Sequence, residues 1–335
     1  MGRLNAVRPL WAIQGGRVTI EGDGLPVDPD LPLVRVGGVP ARLAKASTTA
    51  LTLVVPDGLE GGQTAIRIDQ LPGETAYVEV GTPLATGLHQ VDNPAYDRHG
   101  NLFVTFSGSR GQQAPVTIFV VRPDGTREPF VSEVPNPTSL AFDPDGQLFV
   151  SSRFDGSVYR VTADGRATLH ASELGIACGL AFSRDGVLYV GDRSGSILRV
   201  KDDGRTETFA TLPPSVAAFH LAFGPDDALY VTAPTLGPRD GVYRIAPDGL
   251  ATLWASGFGR PQGLAFDASG QLYVVDALAG ASGLYRLRAA SPDDRELMLN
   301  GGPLIGLAFE PHGGIAVATS DSVYRLAVGI HGLLP

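Results

Sequence analysis

The chain has 335 residues, 35 Asp and Glu against 26 Lys and Arg for a formal charge of −9, and 43 Gly and 26 Pro scattered among short apolar runs. With no basic cluster it lacks the footprint of a nucleic-acid surface, with no apolar run of about 18 residues it has no candidate for membrane insertion by a helix, and its single cysteine, Cys178, excludes an intrachain disulfide or a thiolate zinc cage. Many short strands joined by tight turns fit this composition.

The N-terminal stretch MGRLNAVRPLWAIQGG has no compact apolar segment of the signal-peptide kind. This places the chain in the cytoplasm by default, with a secreted or periplasmic location as the alternative for a trimmed form. Strands are expected at 16–22, 33–38, 50–56, 64–68 and 77–80. Alternation in Arg17-Val18-Thr19-Ile20-Glu21 puts Val18 and Ile20 on one face, as a half-buried strand requires. The segments VTIEGDGL, VGGVPA and LTLVVPDGLEGG, in that order, resemble the IPT/TIG family of immunoglobulin-like domains over residues 5–81. That resemblance implies a spacer or docking module. Glu21 and Asp23 flank a turn and read as solvated carboxylates rather than a cation site.

From residue 93 onward a repeat is visible: NPAYDRHGNLFV, SLAFDPDGQLFV, GLAFSRDGVLYV, HLAFGPDDALYV, GLAFDASGQLYV and GLAFEPHGGIAV. Its aromatic anchors, Tyr96, Phe142, Phe182, Phe223, Phe266 and Phe309, are spaced by 46, 40, 41, 43 and 43 residues. Each unit reads as four strands with an Asp- and Gly-containing turn after the first, the pattern of a propeller blade. The sixth unit lacks a good fourth strand, and residues 82–88 (TPLATGL) match the fourth strands of other units. The expected fold is therefore all-β: an immunoglobulin-like sandwich at 1–81 and a six-bladed propeller at 82–335, closed by a strand from 82–88, with the sandwich beside the seam between first and last blades.

The repeat resembles the NHL and gluconolactonase-like propellers, including the senescence-marker lactonases and the virginiamycin-lyase-like group, over residues 83–326. The lactonase resemblance implies a central divalent cation held by a Glu of the first blade and by Asn, Asn and Asp of the third, fourth and fifth. The matching positions, four residues before each anchor, are Asp92, Thr138, Cys178, Phe219, Gln262 and Ile305. Asp92, Gln262 and the Thr138 hydroxyl supply oxygens, but the third and fourth blades offer a thiol and a phenyl ring, a poor set for a hard cation. Cys178, in GIACGLAF, reads as a small buried residue at a strand entrance.

The lyase resemblance implies a histidine base, and His220, abutting an inner strand in AAFHLAF, is the candidate for acid/base work. A structural histidine at the rim is the competing reading. His89, His99, His170, His312 and His331 fall in turns or outer strands and read as surface. Asp192 and Asp276 follow the second strands, with Ser152 and Thr319 in register; they line the channel mouth or cap the following loop. Arg160, Arg199, Arg244, Arg286 and Arg325 recur in the third strands and suggest a blade-to-blade structural role. Loops 107–115, 233–241 and 276–283 all join second to third strands and offer a surface for partner recruitment.

Two functions remain open. One is a scaffold that binds an unidentified protein partner or a small ligand and needs no cofactor. The other is a lactonase-type hydrolase or lyase using Ca2+ or another divalent cation through Asp92 and Gln262, with His220 assisting.

Overall fold

A computed structural model describes residues 2–108, 114–201, 204–277, 281–288 and 291–333, and these contain strands but no helix. Loops 107–115 and 276–283 fall partly outside the described residues. The first eight strands are β1 (Arg3–Arg8), β2 (Trp11–Ala12), β3 (Arg17–Asp23), β4 (Val34–Val36), β5 (Val39–Ala46), β6 (Ala50–Val54), β7 (Gly62–Ile68) and β8 (Ala76–Val80). Along β3, Val18 and Ile20 are fully buried between exposed Arg17 and Glu21, and they join Leu51, Leu53, Ile66 and Val78 in a core confined to this part of the chain. The stretch expected as one strand at 33–38 is instead a hairpin. Gly37 and Gly38, at φ 58° and 84°, make the two-residue reversal between β4 and β5 that requires positive φ at both positions.

β9 (Thr82–Ala85) leads into the repeats. The first repeat folds as β10 (Ala95–Tyr96), β11 (Leu102–Thr105), β12 (Ile118–Val121) and β13 (Arg127–Val131). The second comprises β14 (Pro137–Phe142), β15 (Leu148–Ser152), β16 (Ser157–Val161) and β17 (Ala167–Ala171). The third is β18 (Ala177–Phe182), β19 (Leu188–Asp192), β20 (Ser196–Val200) and β21 (Thr206–Thr211). The fourth is β22 (His220–Phe223), β23 (Leu229–Thr232), β24 (Asp240–Ile245) and β25 (Ala251–Phe258). Next come β26 (Pro261–Phe266), β27 (Leu272–Asp276), β28 (Gly283–Arg288) and β29 (Ser291–Asn300), then β30 (Leu304–Glu310), β31 (Gly314–Thr319) and β32 (Val323–Leu326).

The expectation of six separate blades needs correction. Five free-standing four-stranded sheets form, the last being β30-β31-β32-β9, whose outer strand comes from the N-terminal side of the repeats. The strands β26–β29 are not a sheet of their own. Trp11 and Ala12 of β2 pair in parallel with Leu299 and Asn300 of β29 on one side and with Glu79 and Val80 of β8 on the other. One sheet of twelve strands results, running from β1 through the N-terminal core to β26. The cause is an outer edge left open at β29, which a short strand from elsewhere completes. The N-terminal strands consequently stand beside the fifth and sixth repeats, not at the seam of first and last.

The inner strands adjoin in a closed circuit, β10, β14, β18, β22, β26, β30 and back to β10. Between neighbours, an aromatic of one second strand meets the next anchor edge to face: Phe103 with Phe142, Phe149 with Phe182, Tyr189 with Phe223, Tyr230 with Phe266, and Tyr273 with Phe309, at centroid distances of 4.9 to 5.4 Å. Each such pair adds about 1 kcal/mol beyond the area it buries. In the expected turns, Asp97, Asp143 and Asp267 each accept two backbone N–H groups, and Gly100, Gly146 and Gly270 adopt φ near +80° to +85°. The repeated arginines stay within their own sheets rather than linking sheets: Arg199 pairs with Glu207, Arg244 with Asp226, Arg286 with Glu296, and Arg325 with Glu310, while Arg160 reaches Gln147. At the anchor end of the ring the C-terminal tail lies against β26 and β30. The Leu333 N–H donates to the Phe266 carbonyl at 2.8 Å, and Gly332 rests on Phe309.

Candidate functional site

The inner strands enter the ring at the end opposite the tail, and the residues before them gather there. Asp92 is 3% exposed; its Oδ1 accepts the Asn93 N–H at 2.6 Å and meets Nδ1 of His220, which is itself wholly buried. An ionised carboxylate only accepts, so beside it Nδ1 carries a proton, and when the ring is neutral its lone pair lies on Nε2. Nε2 has no partner among the described residues. An Asp-oriented imidazole with its second nitrogen free is the arrangement that moves protons in acid/base catalysis.

Asn93 fixes the chain beside this pair. Its Nδ2 donates to the Leu264 carbonyl at 3.2 Å and its Oδ1 accepts the Leu307 N–H at 3.0 Å, tying the segment to β26 and β30. A Cβ at Gly263 would come within 2.2 Å of Asn93 Oδ1, and one at Gly306 within 2.7 Å of Asn93 Cα. Glycine at both positions makes room for the close approach. The sequence signal was the column three residues before each anchor, which reads Asn93, Ser139, Gly179, His220, Gly263 and Gly306.

The column one residue earlier is dispersed. Phe219 does not line the axis. It is fully buried between the third and fourth sheets, where its backbone and Cβ crowd Gly179 and Gly191. Successive strand residues alternate faces, so His220 and Phe219 point opposite ways. Thr138, Cys178, Gln262 and Ile305 fall in register shifts at the entrances of β14, β18, β26 and β30. Thr138 Oγ1 donates to the Asn136 carbonyl at 3.4 Å and Gln262 Nε2 to the Leu304 carbonyl at 3.5 Å. Burial pushes the Cys178 thiol up to about 12; the charges of Arg193, Asp92, Arg153 and Asp192 also act on it.

Asp192 and Asp276 hold loops. Asp192 Oδ1 accepts the Ile176 N–H at 2.8 Å, and Asp276 accepts those of Gly259 at 3.0 Å and Arg260 at 2.7 Å. Ser152 donates to the Pro135 carbonyl and Thr319 to that of Ser322. Of the histidines read as surface, His99, His312 and His331 are exposed, but His89 and His170 are half-buried. Burial, with Arg153 and Arg160 respectively adding to it, lowers the basicity of both imidazoles. His89 bridges to Phe106 at the site end of the ring, and its Nδ1 is buried without a partner among the described residues.

The donors do not fit the divalent cation that the lactonase resemblance implies. Asp92 is engaged by His220 and Asn93, Gln262 faces a backbone carbonyl with its amide nitrogen, and Phe219 turns away. Among the described residues no three His, Cys, Asp or Glu side chains gather as a metal cage.

No protein-family model matches the chain, and no curated protein matches it in sequence. Solved structures do share its fold. A gluconolactonase from Xanthomonas campestris superposes with a TM-score of 0.61 at 19% identity, covering 73% of this chain and 88% of that one. An auxiliary nutrient binding protein from Bacteroides ovatus gives 0.53 at 14%, covering 97% of each. A catalytically inactive variant of virginiamycin B lyase from Staphylococcus aureus, with quinupristin, gives 0.54 at 15%, covering 93% and 99%. At these identities the likeness is one of fold, and the chain is an all-β propeller protein.

Proposed function

We propose that this chain is a propeller that binds a small molecule at the end of the ring where Asp92 and His220 meet, with His220 Nε2 as the group that takes or gives a proton. The carrying observation is the buried Asp92–His220 contact, with no partner for Nε2 among the described residues. In this reading β26–β29 count as a sixth blade despite their continuity with β2, and residues 1–81 are an immunoglobulin-like module of IPT/TIG type preceding the propeller at 82–335. The fold relatives support a small ligand, since their names describe a gluconolactonase, a nutrient binding protein and a lyase with quinupristin. Proton transfer at Nε2 suits a hydrolase or lyase step, and none of it is routed through a metal.

A thermal-shift screen of the full chain against a small-molecule library tests the reading. Compounds that raise the melting temperature of the wild type are expected to lose most of that effect on His220→Ala. Stabilisation that persists undiminished in both His220→Ala and Asp92→Ala would place the ligand elsewhere and overturn it.

A further inference from the structure

Residues paired across neighbouring strands share one face of a sheet, and one such pair repeats around the ring. In four repeats an arginine of the third strand stands opposite an aromatic of the second: Arg160 opposite Phe149, Arg199 opposite Tyr189, Arg244 opposite Tyr230 and Arg286 opposite Tyr273. In the last, Arg325 stands opposite Ala316. The first repeat departs from this pattern. Its aromatic, Phe103, faces Val120, and the guanidinium is missing from that position.

A cavity lies beside that position. It measures about 430 Å³, between the first and second sheets at the anchor end of the ring, and Phe103, Phe130 and Phe142 line it together with Val120. Pockets for small ligands run from roughly 300 to 1,000 Å³, so the space suffices for one. Around it stand Asp97, Asp143 and Asp145 against Arg98 and Arg122. Arg122 is already matched: its Nε and Nη2 donate to Glu128 Oε2 at 2.9 and 2.7 Å. Glu128 lies opposite Val120 on the fourth strand, as Glu207 lies opposite Arg199 and Glu296 opposite Arg286. Arg122 therefore answers that acceptor from two residues further along β12 without filling the cavity. Arg98 donates to the Pro144 carbonyl. Asp143 Oδ1 accepts the N–H groups of Asp145 and Gln147, while its Oδ2 and the carboxylate of Asp145 accept no hydrogen bond among the described residues.

We propose that this cavity takes a small organic cation, a guanidinium or amidinium carried on an apolar group, which stands in for the arginine of the other sheets, its apolar part on Phe103, Phe130 and Phe142 and its N–H groups toward Asp143 and Asp145. Phenyl rings attract a cation as carboxylates do, and a planar fork of N–H groups matches a carboxylate in geometry. With Arg122 paired to Glu128, three carboxylates face the single guanidinium of Arg98 in a chain of net charge −9, a field that disfavours an anion. The site is separate from the Asp92–His220 contact, which stands at the entrances of the inner strands while the cavity lies at their far ends.

The test is calorimetric titration of the full chain with benzamidine and phenylguanidine, beside the neutral benzamide and phenylurea and the anion benzoate. At least one cation is expected to bind once per chain and about ten-fold or more tighter than its neutral counterpart. Val120→Arg, which supplies the guanidinium that the other sheets carry, is expected to weaken that binding by about ten-fold or more. Should Val120→Arg fail to fold, the Val120 methyl resonances of the wild-type protein give the same reading: they are expected to move on adding the cation and to stay on adding its neutral counterpart at the same concentration. Neutral compounds binding as well as the cations would make the cavity an apolar slot, and benzoate binding better would make it an anion site of Arg98. Either result overturns the proposal, as do undiminished binding to Val120→Arg, unmoved Val120 resonances, or no binding of either cation.

Discussion

Nδ1 of His220 contacts Oδ1 of Asp92 across 128 residues of sequence, joining the entrance of the fourth sheet to that of the first with both side chains buried. Removing one member leaves the other buried without its partner. Asp92→Ala is expected to cost about 3 kcal/mol of stability, because it leaves a buried imidazole donor with no acceptor. Asp92→Asn keeps an oxygen for Nδ1 and is expected to cost roughly half as much. Urea denaturation measures both; equal losses would mean that an amide oxygen cannot replace the carboxylate, and a harmless Asp92→Asn that the carboxylate contributes only volume.

Phe219 offers a sharper contrast between the two possible orientations of one strand entrance. Buried between two sheets, its truncation in Phe219→Ala is expected to lose about 3 to 4 kcal/mol in denaturant titration. A Cβ added at Gly191 would sit 2.7 Å from Phe219 Cβ, so Gly191→Ala is expected to overpack the joint by about 1 to 3 kcal/mol. A phenyl ring lining an open axis would show neither loss.

Burial makes His89 and His170 harder to protonate in the folded chain than at their usual value of 6.5. Below that pH the unfolded chain therefore binds more protons than the folded one, so stability falls as pH drops and is intact above about 7. Thermal melts at about pH 7.5 and about pH 5.5 are expected to differ, and the difference should shrink in His170→Gln. An unchanged difference in His89→Gln and His170→Gln would locate the effect in other groups.

Cys178 is 1% exposed and its thiol is pushed up to about 12 by burial. At pH 8 it is expected to resist a disulfide-exchange reagent for as long as the chain stays folded and to react at once in denaturant. Prompt reaction of the native protein would show that the entrance of β18 opens.

The repeat was legible because its turns and anchors obey local rules. The Asp-to-N–H caps at Asp97, Asp143 and Asp267 and the aromatic joints follow from residue type and spacing. What was not legible depends on partners distant in sequence. Nothing in Trp11-Ala12 announces that it pairs with Leu299-Asn300, and that contact alone merges one repeat into the twelve-stranded sheet. Asp92 and His220 could be singled out one by one but their contact could not, and the register shifts at Cys178 and Ile305 are set by backbone pairing and leave no mark on composition. Asn93 went unnoticed because its value lies in the carbonyl of Leu264 and the N–H of Leu307, which topology brings to it.

The tail at 331–333 gives the ring a front and a back. With Gly332 against Phe309 and Leu333 clasped to Phe266, the rear doorway is partly shuttered by the chain itself, and Asp92 and His220 stand inside the front one. The two ends are thus unlike: the tail forms part of the wall of the cavity between the anchors Phe142, Phe182, Phe223, Phe266 and Phe309, and the Asp92–His220 contact lies away from it.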